Sequence, residues 1–287
     1  MRILLTGSNG QLGHCFMDRI PEDWQVIATD TKELDITNFS NVSKFVDEVR
    51  PDVIVNAAAY TAVDKAETEK DIAKLVNVDG PKNLAAAAKK NGAVLIHVST
   101  DYVFDGQQKK PYIENDLTNP LSVYGRTKLE GEEVVFEQNE NSIIVRTAWV
   151  YSEYGNNFVK TMLRLASERD EIKVVDDQYG SPTYAGDIAS AIISLIRAKA
   201  TPGIYHYCGK QDMSWKDFAS LIIMEAKNIN IICKNVKVQS ITTDEYPTQA
   251  KRPKFSTLNC DKIKHYGIEL SSIEKNLQKV LYFINKK

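Results

Sequence analysis

Short apolar runs alternate with longer stretches of helical period through the first half of the chain. Residues 2–5, 26–28, 52–56, 94–98 and 142–146 are apolar runs of strand length. Between the first four, residues from 11 to near Pro21 and 39–50, stopping before Pro51, carry helical patterns. So does a long amphipathic stretch containing Asn77 and four consecutive alanines from Ala85. Strand and helix in strict alternation predict a parallel sheet with right-handed crossovers and helices on both faces. The expected fold class is α/β, a Rossmann-type doubly wound parallel sheet.

Past residue 150 the pattern loosens. Strands are expected at 172–175, 204–207 and 236–241, the last with period-two character, and helices at 156–168, 188–196, 215–226 and 271–284. This is no longer a βαβ series, so a smaller α+β unit for substrate binding is expected. The division reads as residues 1–150 for the dinucleotide-binding domain, with a return segment near 177–200. Residues 151–176 and 201–287 form the smaller substrate-binding domain.

Ligands of such sheets sit at the carboxyl ends of the strands. After the first strand comes Gly7-Ser8-Asn9-Gly10-Gln11-Leu12-Gly13, a G-x-x-G-x-x-G turn entering a helix. Glycines let the backbone approach a pyrophosphate, and a helix N-terminus supplies N–H donors and a positive dipole. The spacing departs by one residue from the G-x-G-x-x-G fingerprint, and such a turn alone is only a tight turn. The second strand ends at Asp30, placed to bind adenosine ribose hydroxyls and to repel a 2′-phosphate, with Lys32 blunting that preference. Asp35 and Ile36 are placed to lie against the adenine. The third strand ends in Ala57, Ala58, Ala59 and Tyr60, small residues that let a cofactor lie close or simply pack tightly. Gly7, Asp30, Ala57 and Thr100 all fall at expected strand ends, and that coincidence points to a dinucleotide site.

The fourth strand opens into Ser99-Thr100-Asp101-Tyr102, and Tyr124 and Lys128 follow at i, i+4 on one helix face. A phenol beside a cation loses its proton more readily. Such a tyrosine can give a proton to an oxygen gaining negative charge, with Thr100 offering its hydroxyl to the same oxygen. Y-x-x-x-K is a weak pattern; a second copy, Tyr282 and Lys286, has no glycine turn near it and reads as solvated helix surface. Trp149 and Tyr151 at the fifth strand's end suit a flat wall for a sugar or base, or are plain core aromatics. Arg252 suits a diphosphate as a bidentate donor, or is a solvated surface arginine.

Net charge is −2, without a long basic block, which argues against nucleic acid or an anionic membrane as partner. No apolar stretch is long enough to span a bilayer and no secretory segment opens the chain, so a cytoplasmic location is expected. The four cysteines, Cys15, Cys208, Cys233 and Cys260, are scattered without C-x-x-C, and no metal-ligand spacing is visible.

The glycine turn, Asp30, Asn56-Ala57-Ala58-Ala59, Ser99-Thr100-Asp101-Tyr102 and Tyr124-x-x-x-Lys128 resemble the extended short-chain dehydrogenase/reductases. With Arg146-Thr147-Ala148-Trp149, Gly155-Asn156-Asn157-Phe158, Gly180-Ser181-Pro182-Thr183 and Arg252-Pro253, nearly the whole chain is similar to the dTDP-4-dehydrorhamnose reductases among them. The resemblance implies reduction of dTDP-4-dehydro-L-rhamnose to dTDP-L-rhamnose by hydride from NADPH or NADH. It implies Tyr124 as proton donor, and Lys128 holding the nicotinamide ribose and lowering the Tyr124 pKa. It implies Thr100 polarising the carbonyl, Asp101, Tyr102 and Trp149 on the sugar nucleotide, and Arg252 at its diphosphate. A monomer or homodimer is expected; some members dimerise through a metal held by an acid on the first helix, where this chain has Cys15, so no metal is expected. Two alternatives stand beside this. One is another nucleotide-4-ketosugar reductase or epimerase, or a sugar-nucleotide dehydratase, of the same fold, although Tyr102 follows Asp101 where dehydratases carry a glutamate. The other is a non-catalytic regulatory subunit like the β subunit of methionine adenosyltransferase.

Overall fold

A computed structural model describes residues 1–286. The chain opens with β1 (Arg2–Thr6), α1 (Gln11–Met17), β2 (Gln25–Thr29), α2 (Phe39–Val49) and β3 (Val53–Asn56). Then come α3 (Gly80–Asn91), β4 (Val94–Thr100), α4 (Val123–Gln138) and β5 (Ile143–Thr147). The rest holds α5 (Phe158–Glu168), β6 (Glu171–Val175), α6 (Ala185–Arg197), β7 (Gly203–His206), α7 (Trp215–Asn228), β8 (Lys237–Ile241) and α8 (Ile273–Asn285).

The main sheet has six parallel strands in the order β7-β5-β4-β3-β1-β2. The chain steps from β1 to the edge strand β2 and then returns to β3 on the other side of β1. That reversal leaves a crevice at the carboxyl ends of β1 and β3. Strand residues alternate between faces. Ile3, Leu5, Val53, Val55, Ile96, Ile143 and Val145 pack with residues of α1 and α6. Leu4, Ile54, Leu95 and Ile144 pack with residues of α2 and α3. Both faces are thus covered, which is why these strands are apolar throughout. A second core gathers residues of α5, β6, α7 and α8, among them Met162, Val174, Ile222 and Leu277. Beside it β6 pairs in parallel with β8.

One expectation gains detail and one needs correction. The long helical stretch around Asn77 is preceded by a separate turn, Val63–Ala66, and then runs unbroken from Lys70–Lys74 through a π-helical turn, Leu75–Asp79, into α3. Pro81, which has no N–H to donate, comes just after the π-helical turn. The return to the main sheet also runs past residue 200. β7 pairs with β5 from Gly203 to His206, a segment assigned above to the smaller domain. Tyr205 of β7 and Tyr207 just after it belong to the same core as Ile143 and Val145. A four-residue strand at a sheet edge carries too little periodicity to announce which sheet it joins.

The seat of α4 matters most for the site. Ser122 caps it, accepting from the Gly125 N–H at 3.1 Å. Gly125 lets the helix close on the 101–103 turn: a Cβ there would lie 2.2 Å from the Tyr102 carbonyl oxygen. One turn beyond Lys128, Glu132 accepts from Arg146 of β5 at 2.6 Å from Nη2 and 2.9 Å from Nε. Both side chains are 3% exposed. Removing one partner of such a pair strands the other charge in the core. Glu132→Ala is therefore expected to lower unfolding free energy by about 3–5 kcal/mol, measured by urea denaturation. A loss below about 1 kcal/mol would show that Arg146 finds other compensation.

Candidate active site

A cleft of about 600 Å³ opens at the carboxyl ends of β1, β3, β4 and β5. Its lining brings together Gly10, Gln11, Leu12, Ala57, Ala59, Thr100, Asp101, Tyr102, Tyr124, Lys128 and Trp149. A second hollow of about 320 Å³ holds Gly7, Asn9, Gly10, Asp30, Asp35, Ile36, Ala57, Ala58 and Ala59. The two share Gly10, Ala57 and Ala59, so they form one trough across the crevice.

The glycine turn is shaped by its backbone. Gly7 has φ +72, and a Cβ there would lie 2.6 Å from the Ala58 nitrogen. Gly10 precedes α1 without any side-chain cap, leaving the first N–H groups of the helix open to a ligand. Gly13 is buried behind the turn and lines neither hollow. Asp30 takes the Asn9 N–H at 3.1 Å and the Thr31 N–H at 2.7 Å, which aims its carboxylate along the hollow's edge. Asp35 accepts from the Thr37 N–H and hydroxyl at 2.9 and 2.7 Å. Ser99 Oγ and Thr147 Oγ1, in residues lining the cleft, are buried without a partner. Buried polar atoms normally have one. A dinucleotide with a polar substrate fits this trough: open helix donors and small residues at one end, orphaned hydroxyls at the other.

Tyr124 and Lys128 both reach the cleft, but their electrostatics differ from expectation. The Tyr124 phenol is pushed up to about 12 by burial, with the neighbouring Thr100 hydroxyl pulling it partly back and Asp101 adding to the rise. Lys128 does not hold it down. Its Nζ donates to the Val98 carbonyl at 2.7 Å and lies 3.3 Å from His97 Nε2. Burial brings that amine down to about 8, with Glu132 opposing. The i, i+4 spacing puts both groups on one face, yet the long lysine chain reaches past the phenol to the strand. Thr100 donates to Asp101 Oδ1 at 3.0 Å. Burial raises the Asp101 carboxyl to about 7, with the Ser256 and Thr100 hydroxyls holding it partly back.

Trp149 lies flat on Trp215, ring centroids 3.4 Å apart and planes 5° from parallel, so the expected wall is built from two indoles. Tyr151 is fully buried and belongs to the second core. Tyr60 lines neither hollow; its hydroxyl donates to Glu69 at 2.5 Å. The Nη1 and Nη2 fork of Arg252 is taken by Asp64 at 3.1 and 2.7 Å. That corrects the expectation of a bidentate fork free for a diphosphate. Arg252 lines a neighbouring hollow of about 700 Å³ with Asp105, Tyr246, Lys251 and Lys254. Cys15 is buried, and burial pushes its thiol up to about 12. Tyr282 is exposed, and the Lys286 ammonium sits over its ring.

Several contributors were missed. Asn77 clamps the backbone of Tyr60, accepting from its N–H at 2.8 Å and donating to its carbonyl at 3.1 Å, and donates to Thr127 of α4. Ser152 and Asn157 donate to Gln11, a residue already expected at the site, at 3.0 and 2.9 Å, tying the glycine turn to the segment before α5. Trp215 and His97 complete the set. The π turn at Asn77 left no periodic trace; His97, Ser152 and Asn157 lie in or beside recognised motifs, and no motif lies near Trp215.

Fold and site together define a nicotinamide-dependent oxidoreductase of the short-chain dehydrogenase/reductase type. The family model described as RmlD substrate binding domain matches residues 1–285. A dTDP-4-dehydrorhamnose reductase of Aggregatibacter actinomycetemcomitans is 46% identical over 97% of this chain and 98% of its own. A solved dTDP-4-dehydrorhamnose reductase of Clostridium acetobutylicum superposes with TM-score 0.93 at 45% identity, covering 99% of this chain and 100% of that one. One from Bacillus anthracis, solved with NADP, gives 0.90 at 40% identity, covering 100% and 99%. The chain belongs to the dTDP-4-dehydrorhamnose reductase family.

The raised Asp101 carboxyl has a stability consequence. An acid that ionises near 4 when unfolded and near 7 when folded binds more protons in the native state across that window. Its burial therefore costs stability as pH rises from about 4 to 7, and the cost is flat above. Asp101→Asn carries no such charge. The stability difference, variant minus wild type, is expected to grow by on the order of 3–4 kcal/mol between pH 4 and 8 in paired urea melts. A difference independent of pH would contradict the buried carboxyl.

Proposed function

We propose that the chain reduces the 4-keto group of dTDP-4-dehydro-L-rhamnose to give dTDP-L-rhamnose, using NADPH or NADH. The observation that carries this reading is the convergence of Thr100, Tyr124 and Lys128 on a cleft continuous with the Gly7-to-Gly13 turn. Gly7, Asn9, Gly10, Ala57 and Ala58 would hold the dinucleotide, with Asp30 at its adenosine ribose. Bound there in reduced form, the nicotinamide supplies the hydride.

The chain's own residues supply the proton and its control. A phenol pushed up to about 12 is fully protonated at neutral pH, the form a proton donor needs. As the keto oxygen gains negative charge, Tyr124 is the acid facing it and the Thr100 hydroxyl is a second donor. The indole pair of Trp149 and Trp215 offers a flat apolar face to the sugar nucleotide. Asp101 and Tyr102 border the same space. Arg252, held by Asp64, also meets the Tyr102 hydroxyl. Among the described residues no helix is long and apolar enough to cross a membrane.

Tyr124→Phe is expected to bind reduced dinucleotide as wild type does, read by fluorescence, while turnover falls at least about 10²-fold. Wild-type turnover would remove Tyr124 as the donor. Asp30→Ala removes a carboxylate that favours free ribose hydroxyls over a 2′-phosphate. The ratio of kcat/KM for NADPH to that for NADH is expected to rise about tenfold, a change of about 1.4 kcal/mol. An unchanged ratio would take Asp30 out of cofactor selection.

A further inference from the structure

A line of buried side chains runs beneath the cleft from β1 to α4. Thr6 Oγ1 donates to Asn56 Oδ1 at 2.7 Å, and the Ala58 N–H donates to the same oxygen at 3.1 Å. Asn56 Nδ2 lies 2.9 Å from His97 Nδ1. His97 Nε2 lies 3.3 Å from Lys128 Nζ. Thr6, Asn56, His97 and Lys128 are all at most 2% exposed.

The donors and acceptors in this line can be assigned. A backbone N–H only donates, so the atom of Asn56 beside Ala58 is its carbonyl oxygen. The amide nitrogen then faces His97 and donates to Nδ1. A neutral imidazole that accepts at Nδ1 carries its proton on Nε2. That N–H is aimed at Lys128. An ammonium has no lone pair to receive it, whereas a neutral amine does.

We propose that His97 is a positioning residue: its Nε2–H faces Lys128, favours the neutral amine, and thereby sets the proton affinity of the lysine in the reductase site. This rests on the reading of Lys128 as part of that site. On its own helix Lys128 has Tyr124 four residues before it and Glu132 four after, and Glu132, paired with Arg146 of β5, pulls the other way by favouring the ammonium. β4 supplies His97 and the Val98 carbonyl, β3 the neutral Asn56, the π turn the neutral Asn77, and the turn after β4 contributes Asp101. Burial keeps His97 itself from charging. The lysine then exchanges a proton near neutrality, close to the phenol that must be resupplied after each turnover.

Two measurements test this. In protein labelled with ¹⁵N-histidine, His97 is expected to be neutral with Nε2 protonated. His206, whose Nδ1 lies 3.1 Å from the Tyr112 carbonyl oxygen, gives the opposite tautomer as an internal contrast. A His97 proton on Nδ1, or on both nitrogens, overturns the proposal. His97→Asn keeps a carbonyl to accept from Asn56 and removes the donor facing Lys128. In this variant the ¹³Cε titration of Lys128 is expected to move up by about one pH unit, and the alkaline limb of kcat to follow it. An unmoved midpoint overturns the proposal. Should the variant fail to fold, the wild-type tautomer still decides. Neither spectroscopic readout needs turnover, so their failure is distinct from failure of the reductase assay.

Discussion

The seat of α4 on the ends of β4 and β5 is the constraint on which the site depends. Two unlike contacts fix it. At its start, hydrogen takes the place of a side chain at Gly125, and the helix closes onto the Tyr102 carbonyl. Two turns on, Glu132 and Arg146 meet with both charges out of water. The first sets how near the helix comes, the second how it is rotated. Tyr124 stands next to the first contact and Lys128 between the two, so the seating of the helix carries both groups to the cleft.

Burial then does the electrostatic work. It holds the Tyr124 phenol protonated, brings the Lys128 amine toward neutrality, and lifts the Asp101 carboxyl to about 7. Desolvation disfavours whichever form is charged, so acids rise and the base falls. Three groups are thereby moved toward their uncharged forms within one cleft. Divergence from ordinary values is common where proton transfer is the task. The low dielectric that shifts these groups also makes the line from Thr6 to His97 intolerant of an unsatisfied atom.

Much of this was legible in the chain. Strand ends marked by Gly7, Asp30, Ala57 and Thr100 do lie along one crevice, because a parallel sheet buried on both faces writes each strand as an apolar run. What escaped was non-local. Arg252 meets Asp64 across 188 positions of sequence, and no periodicity links such partners. Trp215 of α7 stacks on Trp149 just beyond β5, far from it in sequence. The reach of Lys128 past the phenol to Val98 depends on side-chain torsions that spacing does not encode. β7 was placed in the wrong unit because four residues at an edge say little about which sheet they extend.

The proposed reduction makes one claim about atoms: hydride from the dinucleotide in the trough reaches the keto carbon whose oxygen Tyr124 would protonate. The most direct measurement follows deuterium from reduced dinucleotide, labelled at C4 of the nicotinamide, into the sugar. The account predicts one deuterium at C4 of the product hexose, by NMR and mass spectrometry. Product without deuterium, or with it at another carbon, would contradict it.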